Sequence, residues 1–279
     1  MSLLISGDLR LAKSFTQQPY MWEFPQQYGL WYPGLITTAL WLDAADASTI
    51  TESGGLVSQW DDKSGNNRHF TQATPANRPT YDLTHINNKP AVQKIQGTSV
   101  NIGLTTASLG IAADAPRTTV FVFKHIDLSV SNNELWGVDS GSMIDVGSSG
   151  HQRNTWRIRK HSNNFIGTVG ANTVGDKIML IRGSNTSTDY RQSGGADLGV
   201  FAANAHAWNT TASVQMFNVN LSSNTNRNYQ GGAVGEWIVI PEVVSNAIAE
   251  KLEGYLAHKW GLTANLPAGH PYKTVGPTP

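Results

Sequence analysis

The sequence predicts an all-β protein: a two-sheet antiparallel jelly-roll sandwich with one carboxy-terminal helix and an irregular amino-terminal arm. Three observations carry this expectation. Short β-prone runs recur between turn signals from Thr37 onward, at the spacing of a sandwich. One stretch near the end, and no other, has helical periodicity. The first 36 residues show neither period, yet they concentrate proline and aromatic side chains.

The arm comes first. Tyr20, Trp22, Phe24, Tyr28, Trp31 and Tyr32 lie among Pro19, Pro25 and Pro33. A segment of this kind cannot bury its own rings, and two readings stand. It is a lead-in that folds back onto the sandwich, or an assembly arm whose six aromatics anchor on another subunit, where Trp and Tyr are favoured. With no internal repeat and no long linker, the chain divides into an arm at 1–36 and a single domain at 37–279.

The strands follow at 39–42, 57–60, 118–123, 177–181, 214–219 and 237–240. The run from Thr119 to Phe123 is apolar on both faces, which predicts a central strand covered on two sides. The run from Thr155 to Arg159 alternates strictly, so it has one dry face with Trp156 and Ile158 and one cationic face with Arg157 and Arg159. The helix is expected at about 245–260. Ile248, Leu252, Tyr255, Leu256 and Trp260 share one face, Ser245 can cap the amino end, and Gly261 can adopt the left-handed conformation that ends the helix.

Composition excludes several classes. Twenty basic residues balance twenty acidic ones, so no global field favours nucleic acid or an anionic membrane. The chain has no cysteine, which removes disulfides, thiolate metal sites and cysteine catalysis. The amino terminus lacks a basic region followed by a long apolar core, and no later stretch is apolar enough to span a bilayer. The expectation is a soluble protein made in the cytoplasm without a signal peptide and without membrane insertion. Only 14% of residues are charged, while Asn, Ser, Thr and Gly abound, as suits strand edges and hydroxyl-rich surfaces.

Two segments carry a family likeness. The first runs Leu40-Trp41-Leu42-Asp43-Ala44-Ala45-Asp46, then Trp60-Asp61-Asp62-Lys63-Ser64-Gly65-Asn66, Arg78-Pro79-Thr80-Tyr81 and Asn88-Lys89-Pro90-Ala91-Val92. The second is the closing Gly254-Tyr255-Leu256-Ala257-His258-Lys259-Trp260-Gly261-Leu262 with the Leu266-Pro267-Ala268-Gly269-His270-Pro271-Tyr272 tail. Together they resemble the laminin-G-like, concanavalin-A-like jelly-roll domains of phage virion proteins. The resemblance implies the fold and a lean toward glycan or protein contact on a virion or cell surface. It implies no single activity, because this fold hosts lectins, glycosidases and architectural domains.

Candidate chemistry is sparse. Related glucanases share a strand motif of Glu, Asp two residues on, and a second Glu, which sets two carboxylates across a glycosidic bond. No glutamate here is followed two positions later by Asp. Glu134, Asp139 and Asp145 remain as scattered acids. Calcium is the one cofactor to weigh, through Asp43, Asp46, Asp61, Asp62 and Asn66, which supply oxygens in two nearby segments. Such Asp-rich turns are more often self-capped turns, and that reading is favoured. The eight histidines are dispersed, with no metalloprotease or nucleophile-elbow motif. Arg153, Arg157, Arg159, Lys160 and His161 form the densest basic patch, around Trp156. Trp41, Trp60, Trp237 and Trp260 fall in strand or helix patterns and belong to the core. Trp136, Trp156 and Trp208 sit beside polar loops and, with Arg157 and Arg159, are the candidate ligand platform, since aromatic faces stack on sugar rings.

The expectation for function is therefore non-enzymatic: a phage-type virion structural protein on capsid or tail, with a lectin-like surface. Its expected partners are other virion proteins and its own copies, in a trimer or another symmetric assembly. The alternatives are recognition of a host-surface glycan and, less favoured, glycan hydrolysis.

Overall fold

The computed structural model describes residues 19–22, 25–95, 101–112, 115–126, 134–138, 143–146, 155–160, 164–171, 174–183, 187–192, 199–202, 213–221, 224–228 and 231–279. The chain is an all-β jelly-roll sandwich with one α-helix. Seven strands open it: β1 (Leu40–Asp43), β2 (Ile50–Ser53), β3 (Leu56–Trp60), β4 (Phe70–Thr71), β5 (Thr80–Ile86), β6 (Lys89–Lys94) and β7 (Leu104–Thr106). The long β8 (Arg117–His125) follows, then β9 (Glu134–Val138), β10 (Met143–Val146), β11 (Thr155–Lys160) and β12 (Asn164–Ala171). The remainder is β13 (Gly175–Gly183), β14 (Ser187–Gln192), β15 (Gly199–Ala202), β16 (Val214–Met216), β17 (Asn218–Leu221), β18 (Asn224–Asn228), β19 (Gly232–Ile240) and α1 (Asn246–Trp260).

All pairings are antiparallel. In one layer β19 runs beside β8, β8 beside β13, β13 beside β14 and β14 beside β15, while β1 and β6 share the other edge of β19 end to end. The second layer passes from β2 and β3 through β4, β7, β16, β9, β10 and β11 to β12. β5 joins the layers, pairing with β6 on one side and with β3 on the other.

The two-faced apolar strand expected at 119–123 is the axis of this plan. Phe121 and Phe123 face the second layer, with Trp60, Phe70, Val214, Met216 and Trp237. Val120 and Val122 face the opposite way, toward Leu252, Tyr255, Leu256 and Trp260 of α1. The molecule is thus sheet on sheet with a helix on the outer face of the first sheet. That explains why β8 and β19 are buried along nearly their whole length rather than at alternate residues.

The helix begins and ends where its sequence directs. The Ser245 hydroxyl accepts from the Ile248 amide, and Gly261 stands at φ 69°, where its own N–H returns to the Ala257 and His258 carbonyls. The described part of the arm folds back on its own chain. Trp22 is buried, stacked on His258 and edge-on to Tyr255; Trp31 is buried edge-on to Tyr255, and its amide donates to the Pro277 carbonyl. The arm and tail segments therefore meet over α1.

One strand expectation is corrected. The run 214–219 is not continuous: buried Phe217 takes φ 66° and breaks it into β16 and β17. An aromatic residue in the left-handed region is uncommon. Here its amide donates to the Leu135 carbonyl, so the break ties β16 to β9.

Candidate functional site

Two polar constellations stand out, one sealed and one open. The sealed one is built by a bulge. Register between β19 and β8 shifts between Val234 and Glu236, so Gly235 is an extra residue and the Glu236 side chain turns to the helix face instead of the sandwich interior. A Cβ on Gly235 would lie 2.5 Å from the Trp260 indole, so glycine is the residue that admits this packing. Glu236 is 0% exposed. Its Oε1 accepts from Trp41 Nε1 at 2.8 Å and from the Tyr255 hydroxyl at 3.3 Å. Its Oε2 accepts from Lys259 Nζ at 2.7 Å and from Trp260 Nε1 at 2.8 Å.

Lys259 Nζ also pairs with Asp43 Oδ1 at 2.7 Å, and Lys63 Nζ bridges Asp43 Oδ2 at 2.9 Å to Asp46 Oδ2 at 2.8 Å. Burial works against the Asp43 carboxylate, yet the two lysines outweigh it and hold its pKa below the ordinary value. Glu236 is pushed up by burial, with Lys259 only partly offsetting it. Burial and the Glu236 charge push the Tyr255 phenol well up. Asp43, Glu236, Tyr255 and Lys259 are buried away from any substrate, while Lys63 and Asp46 close the network at its partly exposed rim. They join β1, β19, α1 and the turn after β3.

Of the five residues weighed for calcium, two belong to this network and three have partners of their own. Asp43 and Asp46 hold lysines. Asp61 accepts from Gln59 and lies 3.1 Å from His69; Asp62 accepts from the amides of Trp41, Ser64 and Arg68; the Asn66 amide donates to the Thr38 carbonyl. Among the described residues no three His, Asp or Glu side chains are gathered as metal ligands.

The open constellation is a cleft of about 600 Å³ where three segments meet: the β5–β6 turn, the start of β13 and the end of α1. Asn87 and Asn88 form the turn with φ of 46° and 60°, the paired left-handed geometry of a two-residue hairpin turn, which asparagine tolerates. The Asn87 side chain then serves as a cap, its Nδ2 donating to the Trp260 carbonyl at 2.8 Å and the Gly261 carbonyl at 3.1 Å. Asp176 Oδ2 accepts from the Asn87 amide at 3.0 Å, and its Oδ1 lies 3.7 Å from Lys124 Nζ. Asn265 Nδ2 donates to the Asp176 carbonyl at 3.3 Å. Val174, Gly175, Lys177, Leu262 and Ala264 complete the lining. Burial lowers the Lys177 pKa, opposed by the Asp176 charge.

None of these cleft residues was singled out by sequence as a ligand contact; Gly261 was expected only as the stop of the helix. Of those that were, Trp136, Trp156, Arg157 and Arg159 are placed by backbone alone. Trp136 stands opposite Met216 and Ile144, and Ile144 opposite Ile158. Trp208, Arg153 and His161 lie outside the described residues, as do Asp139 and Phe24. Of the arm aromatics, Trp22 and Trp31 are in the core, Tyr32 is half-buried against Trp41, Tyr28 is 44% exposed, and Tyr20 is placed by backbone alone.

No protein-family model matches the chain, and no curated protein matches it in sequence. Solved structures share its fold. A GH54 α-L-arabinofuranosidase soaked with a cyclic sulfate inhibitor superposes with a TM-score of 0.53 at 13% identity, over 82% of this chain. The chain spans 60% of that enzyme's length. Domain 4 of AbnA, a GH43 extracellular arabinanase from Geobacillus stearothermophilus, in complex with arabinotriose, gives 0.53 at 11% identity, over 78% of this chain and 98% of that domain. The binding domain of Paraclostridial Mosquitocidal Protein 1 gives 0.53 at 13% identity, over 78% of this chain and 52% of that one.

Proposed function

We propose that the chain is a non-enzymatic glycan-binding module whose sugar site is the cleft at the end of α1. The observation that carries the reading is the match to domain 4 of an arabinanase, a domain in complex with arabinotriose, over 98% of that domain and 78% of this chain; the glycosidase is matched over a smaller share of its length. The cleft itself supports it, combining a volume within the usual range of ligand sites with amide, carboxylate and apolar groups suited to sugar hydroxyls and C–H faces. Hydrolysis by paired carboxylates needs two acids about 5–9.5 Å apart across the substrate. Asp176 is the one carboxylate among the cleft's lining residues, and buried Glu236 and Glu253 are held in ion pairs.

The finer placement rests on the sequence resemblance: a virion structural protein meeting its own copies and other virion proteins, with a host-surface glycan as the target. A broad glycan array probed with the full chain tests the function. Retention of a defined oligosaccharide class is the expected result, and no binding to any glycan removes the proposal.

A further inference from the structure

The lining of the cleft has a directional chemistry that specifies what it takes. Its side-chain amide donors are turned inward, and the one cation among its lining residues, Lys177, is buried at 6% exposure. Asn87 Nδ2 is committed to the Trp260 and Gly261 carbonyls, and Asn265 Nδ2 donates to the Asp176 carbonyl. Lys273, the lysine on the far side of the Thr263–Asn265 turn, is likewise tied, its Nζ donating to the carbonyls of Thr263, Ala264 and Leu266. Lys124, beside Asp176, donates to the His85 carbonyl. What the two exposed asparagines leave outward is therefore their amide oxygens, next to the negative charge of Asp176. Val174, 54% exposed, and the side-chain-free Gly261 add an apolar floor.

We infer that this cleft selects neutral, hydroxyl-rich sugars and rejects anionic ones. The inference rests on the glycan-binding reading and narrows it. A sugar hydroxyl donates to the amide oxygens of Asn87 and Asn265 while a C–H face of the ring covers Val174 and Gly261. A uronate or sialate carboxylate brought to the same place meets acceptors and the Asp176 charge, and it loses its hydration without gaining donors. Replacing Asn265 removes one outward acceptor without touching the core. Replacing Val174 by Asp sets a second charge on the floor.

The test is an array carrying neutral arabino-, xylo-, manno- and galacto-oligosaccharides beside oligogalacturonates and sialylated glycans, followed by titration of the best-bound glycan into wild type, Asn265→Ala and Val174→Asp. All measurements are made in EDTA, with the melting temperature of each variant recorded. The expected result is binding confined to neutral sugars and weakened about tenfold or more by each variant at an unchanged melting temperature. Uronates or sialylated glycans binding as tightly as neutral ones overturn the inference. So does neutral binding that both folded variants retain, which leaves the module a glycan binder through another surface. Binding that appears only when calcium replaces EDTA also overturns it, assigning the contact to a bridging cation. A wild-type protein that binds nothing on the array removes the parent reading as well.

Discussion

Glu236 collects four donors from three tryptophan and tyrosine rings and one lysine, and no water reaches it. Removing one partner of such a buried set leaves charges uncompensated, which typically destabilises by about 3–5 kcal/mol. Glu236→Ala is accordingly expected to lower the unfolding free energy read from denaturant titration by an amount in that range; a change below about 1 kcal/mol would show that the network contributes little. Lys94 is the opposite case. It is 2% exposed on the face of Val92, opposite Gly232, and its Nζ has no hydrogen-bond partner among the described residues. Burial lowers its pKa to about 8. The unfolded chain then holds a proton that the folded chain releases between about pH 8 and 10.5, so stability rises with pH across that window and is reduced below it. A depression of that size corresponds to roughly 3 kcal/mol at most. Lys94→Met is expected to stabilise the protein at pH 7 and to abolish the rise between pH 7.5 and 10; equal pH slopes in both proteins would refute this. Neither residue was legible. The sequence shows Asp43 and Asp46 as an acidic cluster fit for calcium, because the lysine that neutralises Asp43 from the distant helix is not visible along the chain.

At the scale of elements, the helix was readable to its caps, since both the Ser245 cap and the Gly261 stop are local chemistry. The central strand was readable because apolarity on both faces has one meaning in a layered protein. The arm was not. Aromatics without a period show that rings must be covered but not by what, and the structure covers Trp22 and Trp31 with the chain's own helix. The consequence is measurable. Trp22→Ala is expected to cost about 3–5 kcal/mol, as for large core truncations, and a chain starting at Thr37 is expected to melt well below the full chain. An unchanged melting temperature for the shortened chain would instead mark the arm as an accessory segment. The bulge at Gly235 was equally hidden, because a single extra residue in a ladder carries no signal of its own along β19.

For the whole molecule, the layer order decides where ligands can reach. The sheet-on-sheet core and the sheet-on-helix core are both filled by large side chains, leaving the cleft at the helix end as a polar recess among the described residues. The fold class was legible from strand spacing, the single helical stretch and the likeness carried by the opening strands and closing helix. The cleft was not, since Asn87, Asp176, Gly261 and Asn265 come from three segments and none carries a motif. The central claim, that this sandwich binds a glycan and leaves it intact, is tested most directly by one proton NMR experiment on a bound oligosaccharide mixed with the full chain. Saturation transferred from protein to sugar, with the anomeric signals unchanged over a day, is the predicted result; no transfer, or new reducing-end anomeric signals, would contradict it.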